Sequence, residues 1–434
     1  MSEGRIVVGV DIGTSKISTL ITRVAASDAV DEAVNVLGVS EVVSKGIRKG
    51  QIVDIKAAVE AITTSLDQAE RMAGYSISKV TVSMGGSHIE SQNSRGVVAV
   101  ANPSGEITPS DLERVIDAAR AISLSSTREI IHVLPRNYIV DGQEGIKDPI
   151  GMTGVRLEVD THIITANSVS LRNQEKAFSQ IGIDVDGVVF SGYASSLSTL
   201  TDTEKELGVV LVDVGAGTTD VCIYVDGSVA YSVVLPIGAR HITNDLAIGL
   251  RISLESAEKI KLFLSKSLEK RPKVYGSEVR EELKNSDEID VGSLGLTEEL
   301  RKVSKKTLVD GIIRPRLNEI FTFVGLEIKR SGFSGQTPSG LVITGGGART
   351  VGATDCAKRM LGMPVRVGLP RNIKGLIDEI SDSPYATAVG LAMYGATLET
   401  PSSLPFGISL PQLQFLRFNK LFSRAFKFIK SFMP

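Results

Sequence analysis

Tryptophan is absent from the 434 residues, and Phe and Tyr together bring the aromatic share only to 5%. Cysteine occurs twice, as Cys222 in an apolar β-like run and Cys356 in a helix-like stretch. Two such residues make no disulfide framework and read as buried thiols in a reducing compartment. The four histidines, His88, His132, His162 and His241, are scattered without metal-ligand spacing. No apolar run reaches the roughly 18 to 20 residues that cross a bilayer, and the N-terminus lacks the pattern of a signal peptide. A net charge of −2 gives the molecule no overall field for nucleic acid. These absences point to a cytosolic chain with no nucleic-acid partner. Its length exceeds what one hydrophobic core usually serves, so two or more domains are expected.

What is present in quantity is glycine, at 42 positions, and some of it repeats. Val8-Gly-Val-Asp-Ile-Gly-Thr-Ser-Lys16 and Leu211-Val-Asp-Val-Gly-Ala-Gly-Thr-Thr-Asp220 are each an apolar β run ending in an aspartate, then a glycine turn with hydroxyl residues, then a second β run. A glycine turn between strands lets backbone N–H groups converge on a phosphate, since no Cβ holds the ligand off. Gly13, Thr14, Ser15 and Lys16 form the first such turn, and Gly215, Gly217, Thr218 and Thr219 the second. Asp11 and Asp213 would sit badly beside a bare phosphate but suit one carrying Mg²⁺, held through its waters. A third turn, Gly345, Gly346 and Gly347, follows Leu341-Val-Ile-Thr344. Either hairpin alone could be ordinary; the three together argue for a polyphosphate site. Each of the first two turns runs into a strand, unlike a P-loop or a dinucleotide fingerprint, which open a helix.

Three strand–turn motifs in this order resemble the actin, heat-shock chaperone and sugar kinase superfamily. The resemblance implies an α/β, duplicated actin-like ATPase fold with two lobes around a cleft for ATP and Mg. Ala257-Glu-Lys-Ile-Lys261 places Glu258 and Lys261 three apart on one helix face. That is a surface ion pair or, by resemblance to the chaperone branch, a contact to adenosine. Efficient members of the superfamily orient the attacking water with Glu or Gln where this chain has Ser191. A serine is a poor base, so slow hydrolysis is expected, with Asp11, Asp213 and Ser191 around the reacting phosphate and nucleotide serving mainly as a polymerisation switch.

Periodicity marks a helix over Ile55 to Gly74, with Ile55, Val59, Ile62, Leu66, Ala69 and Met72 on one face. Residues 84–164 change texture to strands with one helix at Leu112 to Ile122, which is a compact α+β unit. Residues 268–300 are charged and read as peripheral. Thr307 to Arg330 reads as a helix interrupted near Arg314-Pro315, and Ala386 to Ala396 as a small-residue closing helix.

The last residues are of another kind. Six of the thirteen Phe fall among the final twenty positions. At 100° per residue Phe415, Phe418, Leu421, Phe422, Phe426, Ile429 and Phe432 share one arc, opposite Arg417, Lys420, Arg424, Lys427 and Lys430. A basic amphipathic helix rich in Phe suits an anionic membrane surface, each cation adding about 1 kcal/mol. A partner groove of the calmodulin type is the alternative.

Taken together, these features resemble the FtsA family of bacterial cell-division proteins. Further motifs carrying the likeness are Glu144-Gly-Ile-Lys-Asp-Pro-Ile-Gly-Met-Thr-Gly-Val-Arg156, Ser191-Gly-Tyr-Ala-Ser-Ser196, Ile313-Arg-Pro-Arg316 and Ala386-Thr-Ala-Val-Gly390. The resemblance implies subdomain 1A in residues 1–83, 165–206 and 364–398, and an inserted subdomain 1C in 84–164. It implies 2A in 207–241 and 307–363, 2B in 242–306, a linker at 399–411 and a membrane-targeting amphipathic helix at 412–434. It also implies an ATP-dependent self-polymer on the cytoplasmic face of the cell membrane at the division site. Its expected partners are the C-terminal peptide of FtsZ, docked near Arg301, Lys302, Lys305 and Lys306, and later division proteins. A PilM-like pilus-assembly scaffold and a small-molecule kinase of the same superfamily are the alternatives.

Overall fold

A computed structural model of the chain describes residues 4–24, 34–269 and 287–398. The linker at 399–411 and the amphipathic segment at 412–434 lie outside the described residues. β1 (Arg5–Ile12) and β2 (Lys16–Val24) form the hairpin around the first glycine turn, and β3 (Val34–Val43) pairs with β2. The short arms β4 (Ile47–Arg48) and β5 (Gln51–Ile52) follow. Asp54 then starts the Ile55–Ala73 helix by accepting from the N–H groups of Lys56 and Ala57, and Gly74 ends it in the left-handed region. β6 (Lys79–Met84) returns parallel to β1.

The next stretch leaves the first sheet. β7 (Glu90–Ala99), the Pro109–Arg120 helix, β8 (Arg128–Val140), β9 (Gln143–Ile146) and β10 (Arg156–Asn167) make a separate four-stranded sheet in the order β7-β10-β8-β9. One helix covers it, and Ile107, Leu112, Val115, Ile116, Leu157 and Ile163 are among the buried side chains of its own core. The Ser168–Ser179 helix, β11 (Asp184–Phe190) and the Ser191–Thr199 helix bring the chain back.

The second half repeats the first. β12 (Val209–Val214), β13 (Thr219–Val225) and β14 (Ser228–Leu235) form an antiparallel meander whose last turn is Asp226-Gly227, both at positive φ as the sequence leads one to expect. The Ala239–Leu250 and Leu254–Glu269 helices precede a small hairpin, β15 (Glu288–Asp290) and β16 (Lys302–Ser304). β17 (Leu341–Thr344) and β18 (Val365–Val367) extend the sheet in parallel. β19 (Ile373–Gly375) and the Ala386–Thr397 helix belong again to the first half.

The duplication is explicit in the strand orders, β3-β2-β1-β6-β11 and β14-β13-β12-β17-β18, with the same antiparallel and parallel pairings in each. In the first sheet β19 is added beside β3. Such a plan brings the two glycine turns to matching ends of two sheets.

The inserted sheet rests on the second half as well as the first. Ser91 Oγ donates to Ser232 O at 2.7 Å, Asn93 Nδ2 to Ala230 O at 3.1 Å, and His162 lies between Asn93 Oδ1 (2.7 Å) and Ser232 Oγ (2.8 Å). Burial drives the His162 pKa down to about 3, so the ring is neutral in this contact. The interrupted helix is also visible: Thr307–Ile313 has wide π-type turns before Pro315 opens the regular Arg314–Arg330 helix. No helix among the described residues is long and apolar enough to cross a membrane.

Candidate functional site

β1 and β12 are continuous apolar strands, and each carries one carboxylate near its C-terminal end, where the glycine turn begins. Asp213 accepts hydrogen bonds from Ser195 and, at 3.1 Å, from Thr387. These hydroxyls come from the Ser191–Thr199 and Ala386–Thr397 helices, which lie against each other so closely that a Cβ on Gly390 would overlap the Ala194 carbonyl. Small residues in both helices therefore set the floor of the cleft.

The three glycine turns converge on this floor. A Cβ on Gly345 would overlap Asp213 Oδ1, and the residue sits at φ 79°, so both space and backbone require glycine. Gly217 faces the other half of the molecule: a Cβ there would stand 2.8 Å from Thr14 Oγ1 and 3.2 Å from Lys49 Cα. The two phosphate-type loops thus meet edge to edge. Gly13 closes the first turn by donating to Lys16 O at 3.0 Å, and Gly215 the second by donating to Thr218 O at 2.9 Å. Ser15 and Gly346 are exposed, Gly347 is buried against Val214, and Ser191 Oγ abuts Gly85.

Two expected contacts need correction. Thr219 is fully buried and its hydroxyl donates to Ile237 O at 2.8 Å, because it is the first residue of β13 and its side chain faces the core; it anchors the loop and offers no free hydroxyl. Lys16 is not free to face the turn. Its amine is 2.7 Å from Glu41 Oε2 and 3.9 Å from the centre of the Tyr385 ring, whose hydroxyl also donates to Glu41. Burial acts to raise the Glu41 pKa, but the hydrogen bond and charge of Lys16 outweigh it and hold Glu41 below its usual value.

A third carboxylate, Asp220, completes the group and was not singled out from the sequence. It lies directly opposite Asp213 across β12 and β13, is buried, and its Oδ1 has no hydrogen-bond partner. A Cβ on Gly192 would stand 3.0 Å from Asp220 Cβ, so the second residue of the Ser191–Thr199 helix packs against this aspartate. The signal was the aspartate closing the second motif; the matching position of the first half, opposite Asp11, is Ser18.

Burial raises the pKa of all three acids. Asp11 is lifted to about 6, against a hydrogen bond from Ser83, with Asp213 adding repulsion. Asp213 is raised despite the Ser195 and Thr387 hydroxyls, and Asp220 is raised well above the ordinary value, first by burial and then by Asp213 and Asp11. Like charges this close destabilise one another until a cation joins them. No three His, Cys, Asp or Glu side chains among the described residues converge tightly enough to ligate a metal directly. The orphaned Asp220 oxygen and the hard oxygen donors fit a hydrated Mg²⁺ held through its waters.

Farther along the second half, Lys261 is buried. Its amine donates to Glu258 Oε2 at 2.7 Å and to Thr243 Oγ1 at 2.9 Å, and the Thr243 hydroxyl donates to Glu258. The pair is therefore not a loose surface contact. Thr243 comes from the Ala239–Leu250 helix, whose first N–H groups donate to Gly215 O and Ala216 O at 2.9 Å each. That helix links the Glu258–Lys261 pair to the second loop.

The four cations near residue 301 do not share a helix face. Lys302 lies in β16, paired at 2.9 Å with Glu288, whereas Arg301 precedes the strand and Lys306 follows it, both exposed. Lys306 N–H donates to Asp287 at 2.7 Å, and Lys305 N–H to the Asp287 carbonyl at 2.6 Å. A separate cavity of about 380 Å³ opens between the Ala239–Leu250 helix and the segment from Gly311 to Glu319. Arg316 lines it and forms a two-pronged pair with Asp245 at 2.7 and 2.9 Å.

Comparison with known proteins bears on the whole chain. The family model described as "SHS2 domain inserted in FTSA" matches residues 86–165, and the one described as "Cell division protein FtsA" matches residues 210–390. Cell division protein FtsA of Pseudomonas aeruginosa is 39% identical over 395 residues, 91% of this chain and 90% of the relative. The protein of that name from Borreliella burgdorferi is 39% identical over 389 residues, 90% of each chain. The one from Escherichia coli K12 is 34% identical over 401 residues, 91% of each. Among solved structures, a PilM-PilN type IV pilus biogenesis complex superposes with a TM-score of 0.62 at 14% identity, covering 90% of this chain and 98% of that one. MreB 5 of Spiroplasma citri bound to AMPPNP gives 0.51 at 13% identity, covering 91% and 96%. At these identities the structures speak for the fold, which is the actin-like one.

Proposed function

Because the chain belongs to the FtsA family of cell division proteins, we propose that it binds ATP with Mg²⁺ between its halves, polymerises with copies of itself, and ties the FtsZ ring to the cytoplasmic face of the membrane. The observation that carries the nucleotide part is the meeting of the two loops at Gly217 and Thr14, with Gly345 closing on Asp213. Backbone N–H groups of Thr14 and Ser15 and of Ala216 to Thr218 would cradle the phosphates, Gly13 and Gly215 closing the turns beneath them. Asp11 and Asp213, with Asp220, would hold the hydrated cation. When bound, Mg²⁺ neutralises phosphate charge and orients the terminal group. Ser191, whose hydroxyl abuts Gly85, would stand at the place of the attacking water, and serine being a poor base supports slow turnover. Glu258 and Lys261 would reach the adenosine, and the turn at Gly345, Gly346 and Gly347 would close over the sugar side.

In this reading residues 84–164 would act as the insert, subdomain 1C, that recruits later division proteins. The FtsZ peptide would dock on 2B around Arg301, Lys302, Lys305 and Lys306, where exposed Arg301 and Lys306 offer charge to an acidic segment. Residues 412–434 would be the anchor. Co-sedimentation with anionic liposomes tests this. The full chain with ATP should pellet at low salt and release at high salt, and the chain lacking 412–434 should stay in the supernatant. Retention of binding without that segment would remove the anchor from the account.

A further inference from the structure

The turn between β4 and β5 carries a lysine where its backbone favours another residue. Arg48 pairs with Gln51, so Lys49 and Gly50 are the two turn residues, at φ 48° and 73°. Two successive positive φ values suit a tight hairpin, and asparagine followed by glycine is the favoured pair there. A lysine in the first position is sterically disfavoured, and residues held in that region cluster at functional sites.

The place of the turn says what the lysine could meet. Gly50 N–H donates to Thr14 Oγ1 at 3.1 Å, which fastens the turn to the first phosphate-type loop. Lys49 Cα lies against Gly217 of the second loop, and Lys49 O against Gly86. The Lys49 side chain is exposed, and among the described residues its amine makes no ion pair. Lys16, the other lysine of this region, already has Glu41 and Tyr385. A four-methylene side chain starting from between the two loops has the length to bring its amine to whatever lies between Thr14 and Thr218.

We propose that Lys49 is the cation that recognises the terminal phosphate of a nucleoside triphosphate, so that a triphosphate, and not a diphosphate, draws the hairpin of the first half onto the loop of the second. This rests on the nucleotide reading of the cleft. The charge-assisted hydrogen bond would join the half carrying β4 and β5 to a group cradled by both loops, which makes the hairpin a sensor of nucleotide state.

The test uses the full chain, with ATP and ADP titrated separately in the presence of Mg²⁺. Lys49→Asn removes the charge and suits the turn, so its melting temperature should be no lower than that of the parent. ATP affinity should fall about tenfold with ADP affinity unchanged, and Lys49→Arg should keep the preference for ATP. An unchanged ATP-to-ADP ratio in Lys49→Asn, or equal weakening of both nucleotides, overturns the assignment. A parent protein that binds neither nucleotide overturns the nucleotide reading of the cleft, and this assignment with it.

Discussion

Asp11, Asp213 and Asp220 form a charge cluster that folding buries without a cation of its own. For Asp11 the consequence for stability has a definite sign. Below pH 3.8 the acid is protonated in both folded and unfolded chains and costs nothing; between 3.8 and about 6 the unfolded chain releases the proton more readily, and above about 6 the cost is complete. Asp11→Asn should therefore stabilise the nucleotide-free protein at pH 7 by roughly 1 to 3 kcal/mol and leave it nearly unchanged at pH 4. Thermal melts at the two pH values check this, and an equal gain at both would mean that ionisation of Asp11 is not the source. The same variant should bind Mg-ATP more weakly, since the repulsion it relieves is what the cation would answer. Asp11 and Asp213 were legible in the sequence because the motif repeats around them. Asp220 was as visible, but the first half has Ser18 in its place, so repetition gave no second instance to compare.

At the scale of elements, the Leu254–Glu269 helix positions the Glu258–Lys261 pair against Thr243. If that pair serves adenosine, Lys261→Met should lower ATP affinity about fivefold to tenfold and leave inorganic tripolyphosphate binding as it was. Competition titrations separate the two, and equal losses would assign Lys261 to the phosphates or to the fold. Stability should change by less than about 1 kcal/mol, since Glu258 is partly solvated and keeps its bond from Thr243. Long elements such as Ile55–Ala73 were readable because apolar spacing marks the face they bury. The start of the Ala239–Leu250 helix is less legible. Its cap is not a side chain: Gly238 precedes it, and its first N–H groups are satisfied by the carbonyls of Gly215 and Ala216, a contact between distant parts of the chain. β4, β5 and β19 were missed for the same reason, being two or three residues long and defined by their partners more than by their own propensities.

For the whole molecule, the duplicated plan and the inserted unit were legible from order and texture alone, while the way the halves touch was not. Gly217 marks that contact. Gly217→Ala would place a methyl 2.8 Å from Thr14 Oγ1 and 3.2 Å from Lys49 Cα, pushing the loops apart without disturbing either core. ATP affinity should fall about tenfold or more while the melting temperature moves by only a few degrees. Titration and melts on the same preparation decide it, and undiminished affinity would mean that the loops do not close on a ligand.

The inserted sheet adds a consequence of another kind. Hydrogen bonds from Ser91, Asn93 and His162 hold it to β14, so the second half cannot swing without straining or repositioning the insert. If the cleft takes nucleotide and the halves move on binding, a molecule that grips the insert in one posture changes nucleotide affinity by the factor by which nucleotide changes its own grip, a reciprocity fixed by thermodynamics.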